Sequence, residues 1–332
     1  MFVHIIARRN IQAVLGMILT CMLVGCSSAV PGTNTFRQTP AFTPTALPVY
    51  SQLFTTRYPV TFHPDVAYGP LSAEILDLCT PLGLTTPRPG LVLLHSGGWF
   101  TGDKREAFDR QQDDSRGACM GLASQGFLVA SINYRLTPRF IWPAQIVDAQ
   151  RAVRWLRTHA GSFGQDTQHI CAVGLSAGAH LAVSLGVLQA AHPGDQAGLL
   201  ATESSRVSCV VDFFGPVNLI QLVKTSPATI PEVRDLLGQA KPESNPALYR
   251  AASPLFFVSS HSVPMLIIHG THDTDVPMAQ SLALQRALQQ YHVPAQFIGY
   301  EGEHLFGGLD GQQSRAIWGE VLAFLVAHET VW

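Results

Sequence analysis

Five short runs of nearly unbroken apolar residues constrain this chain most: LVLLH (91–95), FLVASI (127–132), ICAVG (170–174), CVVDFF (209–214) and MLIIHG (265–270). A strand with one face in water alternates apolar and polar side chains, and a strand covered on both faces does not. The runs therefore read as strands of a parallel sheet buried on both sides. Parallel neighbours need crossovers, and amphipathic stretches lie between the runs. In AQIVDAQRAVRWLRTHA (144–160), Ile146, Ala149, Val153 and Leu156 recur at helical spacing while Arg151, Arg154 and Arg157 fall elsewhere, which makes one apolar stripe. Earlier, TTRYPVTF (55–62) and EILDLC (74–79) read as two strands of an antiparallel edge. Together these predict a mostly parallel, doubly wound α/β sheet with helices on both faces, in a single domain. Segments 189–206 and roughly 217–262 break the alternation; insertions of this kind often roof an active site, and for the first, ordinary surface loops and short helices are the alternative.

The first 48 residues are expected to lie outside that domain. Arg8 and Arg9 precede an uncharged run, IQAVLGMILTCMLVG (11–25), too short for a spanning helix and suited to a secretory signal over 1–25. Leu23, Val24, Gly25 and Cys26 resemble the bacterial lipobox. That resemblance implies a lipidated Cys26 as the new N-terminus; an ordinary cleaved signal and an uncleaved anchor are the alternatives. Residues 26–48 are rich in Thr and Pro, without strand or helix periodicity, and read as an extended tether. A catalytic domain over 49–332 would then sit at a bacterial cell envelope, held to a membrane by its N-terminal lipid. The formal net charge is −2 with no block of like charge, which argues against a nucleic-acid partner.

The run ICAVG leads into VGLSAGAHL (173–181), with Ser176 between two glycines. Gly-x-Ser-x-Gly arises by chance in about one chain in ten of this length, so its surroundings must decide. Here a strand precedes it and a helix, AGAHLAVSLGVL, follows. A serine on such a sharp turn can act as a nucleophile, given a base and an acid that follow it in that fold in the order Asp/Glu then His. After MLIIHG comes THDTDVP, with Asp273 and Asp275 at the carboxyl end of a strand. After QFIGY comes EGEHLF, which puts His304 on a loop at the same edge. LVLLH runs into SGGWF, so Gly97 and Gly98, with the amide of Ala177, are candidates for an oxyanion hole. Trp99 reads either as a wall of the acyl pocket or as packing.

DVAYGP (65–70), HSGGW (95–99), GDK (102–104), NYRL (133–136), GLSAGAHLA (174–182), ASPL (252–255), HGTHDTDVP (269–277) and GEH (302–304) together resemble the α/β-hydrolase carboxylesterases. The likeness is to the hormone-sensitive-lipase-like enzymes and to bacterial deacetylase and feruloyl-esterase-like enzymes, and it covers most of 60–310. It implies an α/β-hydrolase fold and a serine carboxylesterase with Ser176 as nucleophile, His304 as base and Asp273, rather than Asp275, as acid. Its substrates would be small short-acyl esters, acetyl or feruloyl esters of saccharides among them, and no cofactor is implied. Ser96 departs from the family, which commonly has a glycine there. A peptidase or amidase using the same triad is the alternative enzyme, and a non-catalytic binding protein on the same fold is the alternative outside enzymes.

Tyr134, Arg135 and Asp148 match positions that look structural in the family, and Asp148 is expected to bond backbone or an arginine rather than take part in the chemistry. His272, Asp273 and Asp275 do not reach metal-site spacing with any second cluster, so no metal is expected. In an exported domain disulfides are permitted. Cys79–Cys119 is the expected bridge if one forms, whereas Cys171 and Cys209, inside buried strands, read as free small hydrophobes.

Overall fold

The computed structural model describes residues 55–84, 89–106, 116–163, 166, 168–188, 200 and 202–329. The signal, Cys26 and the tether lie outside the described residues, as does most of 189–206. The apolar runs become strands: β3 (Gly90–Leu94), β4 (Leu128–Ile132), β5 (Ile170–Leu175), β6 (Cys209–Phe213) and β7 (Met265–Gly270), each buried along its whole length. With β1 (Val60–Ala67), β2 (Ile75–Pro81) and β8 (Ala295–Tyr300) they form one eight-stranded sheet in the order β1-β2-β4-β3-β5-β6-β7-β8. β2 runs antiparallel to both of its neighbours, β1 and β4, and every other adjacent pair is parallel. This is the α/β-hydrolase arrangement, in a single domain.

Side-chain alternation along the buried strands separates two cores. Val92, Leu94, Ala130, Ala172, Val210 and Ile267 point to one face, covered by α2 (Ala144–Ala160), α3 (Ala177–Val187) and α7 (Ala279–Gln290). Leu91, Leu93, Val129, Val173, Val211 and Ile268 point to the other, covered by α1 (Arg116–Ala123) and α8 (Gly311–Glu329). Continuous apolar strands are the sequence mark of this double burial, because neither parity of residue meets water. The helix read at 144–160 is α2, and its stripe faces the first core.

The edge departs from expectation. β1 starts only at Val60 and continues through His63, Pro64 and Asp65, past the apolar stretch. An edge strand needs ladder bonds on one side only, so it tolerates a proline and a polar segment. Its register slips between His63 and Val66, with Asp65 at φ 53°. Lys104, 2% exposed, fastens this edge: its Nζ lies 2.8 Å from Asp65 Oδ1 and 3.2 Å from Asp77 Oδ1.

The cysteine expectation needs correction. Cys79 and Cys119 are bridged, joining β2 to α1. Cys171 and Cys209 are bridged as well, and are not free. They are direct partners in the parallel register of β5 and β6, with Cα atoms 4.7 Å apart. Burial alone made each look like a small hydrophobe; the order of strands makes them neighbours.

The insertion between β6 and β7 holds α4 (Leu219–Thr225), α5 (Ile230–Leu236) and α6 (Pro246–Ala251). It is tied to both flanks of the sheet's carboxyl edge: Trp142 N–H donates to Leu236 O at 2.8 Å, and Ser226 Oγ donates to Thr274 O at 3.0 Å.

Candidate active site

The turn between β5 and α3 is built by close approach. A Cβ on Gly174 would sit 2.3 Å from the carbonyl oxygen of Gly178, and one on Gly178 would sit 2.2 Å from that of Leu94. Only glycine lets the strand, the helix and β3 come this near. Between them Ser176 takes φ 52° and ψ −116°, a conformation costly for a residue with a Cβ. Its own N–H is fixed by Phe213 O at 2.9 Å. The strain lifts the hydroxyl out of the strand line at the amino end of α3, where the helix dipole is positive.

Two loops from distant sequence meet this hydroxyl. His304 Nε2 lies 2.9 Å from Ser176 Oγ, and His304 Nδ1 lies 2.6 Å from Asp273 Oδ2. A carboxylate can only accept, so Nδ1 carries the proton and Nε2 is free to accept from the serine. The second carboxylate oxygen of Asp273 accepts from the N–H groups of Asp275 (3.0 Å) and Val276 (2.8 Å). His269 Nε2 stands 3.3 Å from Asp273 Oδ2 and donates to Val276 O at 2.7 Å. Burial pushes the Asp273 carboxyl up, but hydrogen bonds from His269, His304 and the Val276 amide outweigh it and hold it down at about 2. Asp275 is exposed and contributes its backbone N–H to Asp273 rather than a carboxylate to His304.

The His304 loop is held tightly. Leu305 and Phe306 both have positive φ (54° and 64°), and Glu303 N–H donates to Gly307 O at 2.7 Å. Phe214, fully buried, packs edge-on against the His304 ring with centroids 4.8 Å apart. Sequence reasoning did not single out Phe214 or His269. Phe214 sits at the end of a strand run whose function looked purely structural, and His269 stands within a matched motif without a visible partner.

The glycine loop after β3 completes the surroundings. Gly97, Gly98 and Trp99 take φ of 108°, 58° and 63° in succession. The Gly97 carbonyl accepts from Phe100 and Thr101, while among the described residues the amides of Gly97 and Gly98 have no protein acceptor. A Cβ on Gly98 would meet the Glu232 carboxylate from α5 at 2.8 Å, so the insertion passes directly over this loop. Trp99 is 2% exposed, with its indole turned inward to His180. Asp148 grips Arg135, with Arg135 Nη2 at 2.6 Å from Asp148 Oδ1, and so holds the chain after β4 without reaching Ser176. Among the described residues no group of His, Cys, Asp or Glu is arranged to hold a metal ion.

Residues 76–288 match the BD-FAE family. The chain belongs to that family. Among curated relatives of this BD-FAE member, Esterase LipQ of Mycobacterium tuberculosis is 34% identical over 68% of the chain, and Esterase LipC of the same organism is 31% identical over 75%. The matches span 52% and 61% of those relatives, so this chain corresponds to little more than half of each. Among solved structures, a truncated carbohydrate esterase from gut microbiota superposes with a TM-score of 0.70 at 26% identity, covering 83% of this chain and 98% of that one. An acetyl ester-xyloside bifunctional hydrolase from Caldicellulosiruptor lactoaceticus gives 0.61 at 25% identity, covering 75% and 89%.

Proposed function

We propose that this BD-FAE member is a serine carboxylesterase that cleaves short-acyl esters, with acetyl esters of saccharides as its substrate class. The hydrogen-bonded chain from Ser176 through His304 to Asp273 carries the reading. Ser176 Oγ attacks the ester carbonyl as its proton passes to His304 Nε2. Asp273 keeps the Nδ1–H tautomer in place and stabilises the imidazolium that forms. The oxyanion is met by the amides of Gly97, Gly98 and Ala177, which need no reorganisation when charge develops. Collapse breaks the acyl–oxygen bond, and the alcohol leaves with the proton from His304. Water, activated by the same histidine, then releases the acid. The saccharide alcohol is supported by the carbohydrate esterase and the acetyl ester-xyloside hydrolase among the structural neighbours. Two disulfides in the described residues fit an oxidising compartment, and so support export of the chain.

The test is Ser176→Ala. Hydrolysis of p-nitrophenyl acetate and of acetylated xylo-oligosaccharides should fall by at least about 10⁴-fold with the thermal midpoint preserved, since triad members act as a unit. A folded Ser176→Ala protein with near-normal turnover would end this mechanism.

A further inference from the structure

His180 lies one helical turn after Ser176, on α3, fully buried, and the proposed mechanism does not use it. Its ring joins three separate segments. Trp99 Nε1–H of the glycine loop donates to His180 Nδ1 at 3.3 Å, and His180 Nε2 donates to Ala252 O, at the end of α6, at 2.7 Å. Trp99 meets the imidazole edge-on with centroids 5.2 Å apart, and Trp142, just before α2, packs on it at 5.4 Å. Both ring nitrogens are thereby committed, one accepting and one donating, which requires the neutral ring. Burial, outweighing the Ala252 carbonyl, keeps it so by pushing its pKa down to about 4.

The other end of this contact bears strain. Trp99 is the third residue in succession with positive φ, a conformation a large aromatic residue rarely adopts. It persists where surrounding structure over-determines it. Here Thr137 N–H holds its carbonyl at 2.9 Å and His180 holds its indole. The orientation of the preceding amides, Gly97 and Gly98, depends on that run of torsions.

We propose that His180 and Trp99 are a positioning pair that locks the glycine loop to the nucleophile's own helix, and thereby sets the two halves of the oxyanion hole against each other. One half is the Gly97 and Gly98 amides; the other is the Ala177 amide, on the helix that carries His180. The pair rests on the reading of Ser176 as nucleophile. It gives Trp99 a task other than walling the acyl pocket.

Trp99→Phe keeps an aromatic ring and deletes the donor. On p-nitrophenyl acetate its kcat should fall about 10- to 100-fold, in line with a displaced oxyanion donor, while KM stays within about twofold. Affinity for an alkylboronic acid, whose tetrahedral adduct occupies the oxyanion site, should fall by the same factor as kcat/KM. Destabilisation alone would lower the thermal midpoint without moving that ratio. If Trp99→Phe fails to fold, His180→Gln and His180→Leu decide: Gln keeps an acceptor and a donor and should retain most of kcat, whereas Leu should lose it as Trp99→Phe does. Unchanged kcat/KM in Trp99→Phe, or lost kcat with boronate affinity intact, overturns the pair. Labelling of wild-type Ser176 by a fluorophosphonate separates the two readings. With labelling intact, either result removes only the pair; an unlabelled wild-type serine removes the triad reading and the pair with it.

Discussion

At the scale of single residues, the two candidate acids differ by burial and by what their oxygens do. Asp273 spends both oxygens on fixed donors, one of them His304, whereas Asp275 is exposed and lends only its amide. Asp273→Asn offers His304 the wrong tautomer partner and should lower kcat about 10³- to 10⁴-fold. Asp275→Asn should lower it less than about tenfold. The reverse ranking in steady-state kinetics would move the acid to Asp275. The same hydrogen bonds fix the sign of the pH response. An Asp held at about 2 stays ionised in the folded enzyme throughout the range where esterase assays run. Its contribution to stability is present above the ordinary carboxylate value of about 3.9 and is lost only as pH falls toward about 2. The acid limb of kcat/KM should therefore carry no contribution from Asp273, and its slope should stay at one between about pH 4 and 7. A slope of two on a chemistry-limited ester would mean that a second proton, Asp273's, is also lost there. These residues were legible because each follows a strand: Ser176 after ICAVG, Asp273 after MLIIHG, His304 after QFIGY. His180 and Phe214 were not. What makes them matter is a contact with a segment tens of residues away, and local pattern carries no trace of it.

Elements show the same division between what is local and what is not. Buried strands and the long helix α2 declare themselves through apolar continuity and helical spacing, so their bounds agree with the sequence to within about a residue. Strand order is a property of the whole sheet, and the pairing of Cys171 with Cys209 follows from β5 lying beside β6. The edge strand β1 was misjudged for a related reason: its tolerance of Pro64 comes from having a neighbour on one side only. The two bridges close stretches of 40 and 38 residues, each contributing about 4 kcal/mol on the chain-entropy account. Replacing Cys171 and Cys209 together by alanine should lower the urea midpoint markedly while leaving kcat within about twofold. The bridge lies at the far end of β5 from Ser176, and the turn is held independently by Gly174, Gly178 and the Ser176 amide bond to Phe213. An unchanged midpoint in the double variant, measured without reductant, would mean that the bridge does not form in the folded protein. A loss of kcat at full folding would mean that strand pairing beneath the turn tunes the nucleophile.

At the scale of the whole molecule, the contacts that build the site all come from the described part of the domain. Among the described residues, those that hold Ser176, His304 and Asp273 lie between β3 and α8, and none of these contacts involves a residue before Leu94. We propose that residues 1–48 serve only to export the chain and anchor it, through Cys26, to a bacterial membrane. Each buried methylene of an acyl chain contributes about 0.8 kcal/mol, so two or more chains on one cysteine hold far more firmly than one. The tether from Cys26 to Val49 would let the domain reach substrate away from the surface, by at most about 3 Å per residue. Cys26→Ser should abolish labelling by a radiolabelled fatty acid, leave unprocessed precursor, and shift the protein out of the membrane fraction. A chain beginning at Val49 should hydrolyse p-nitrophenyl acetate with kcat/KM within about twofold of the full chain. The decisive measurement is the intact mass of the membrane-bound protein. A diacylated Cys26 at its N-terminus carries the anchor, and an unmodified N-terminus at any other residue replaces it with ordinary secretion. A collapse of activity in the Val49 chain would instead show that the Thr- and Pro-rich segment packs on the domain and helps to shape the site.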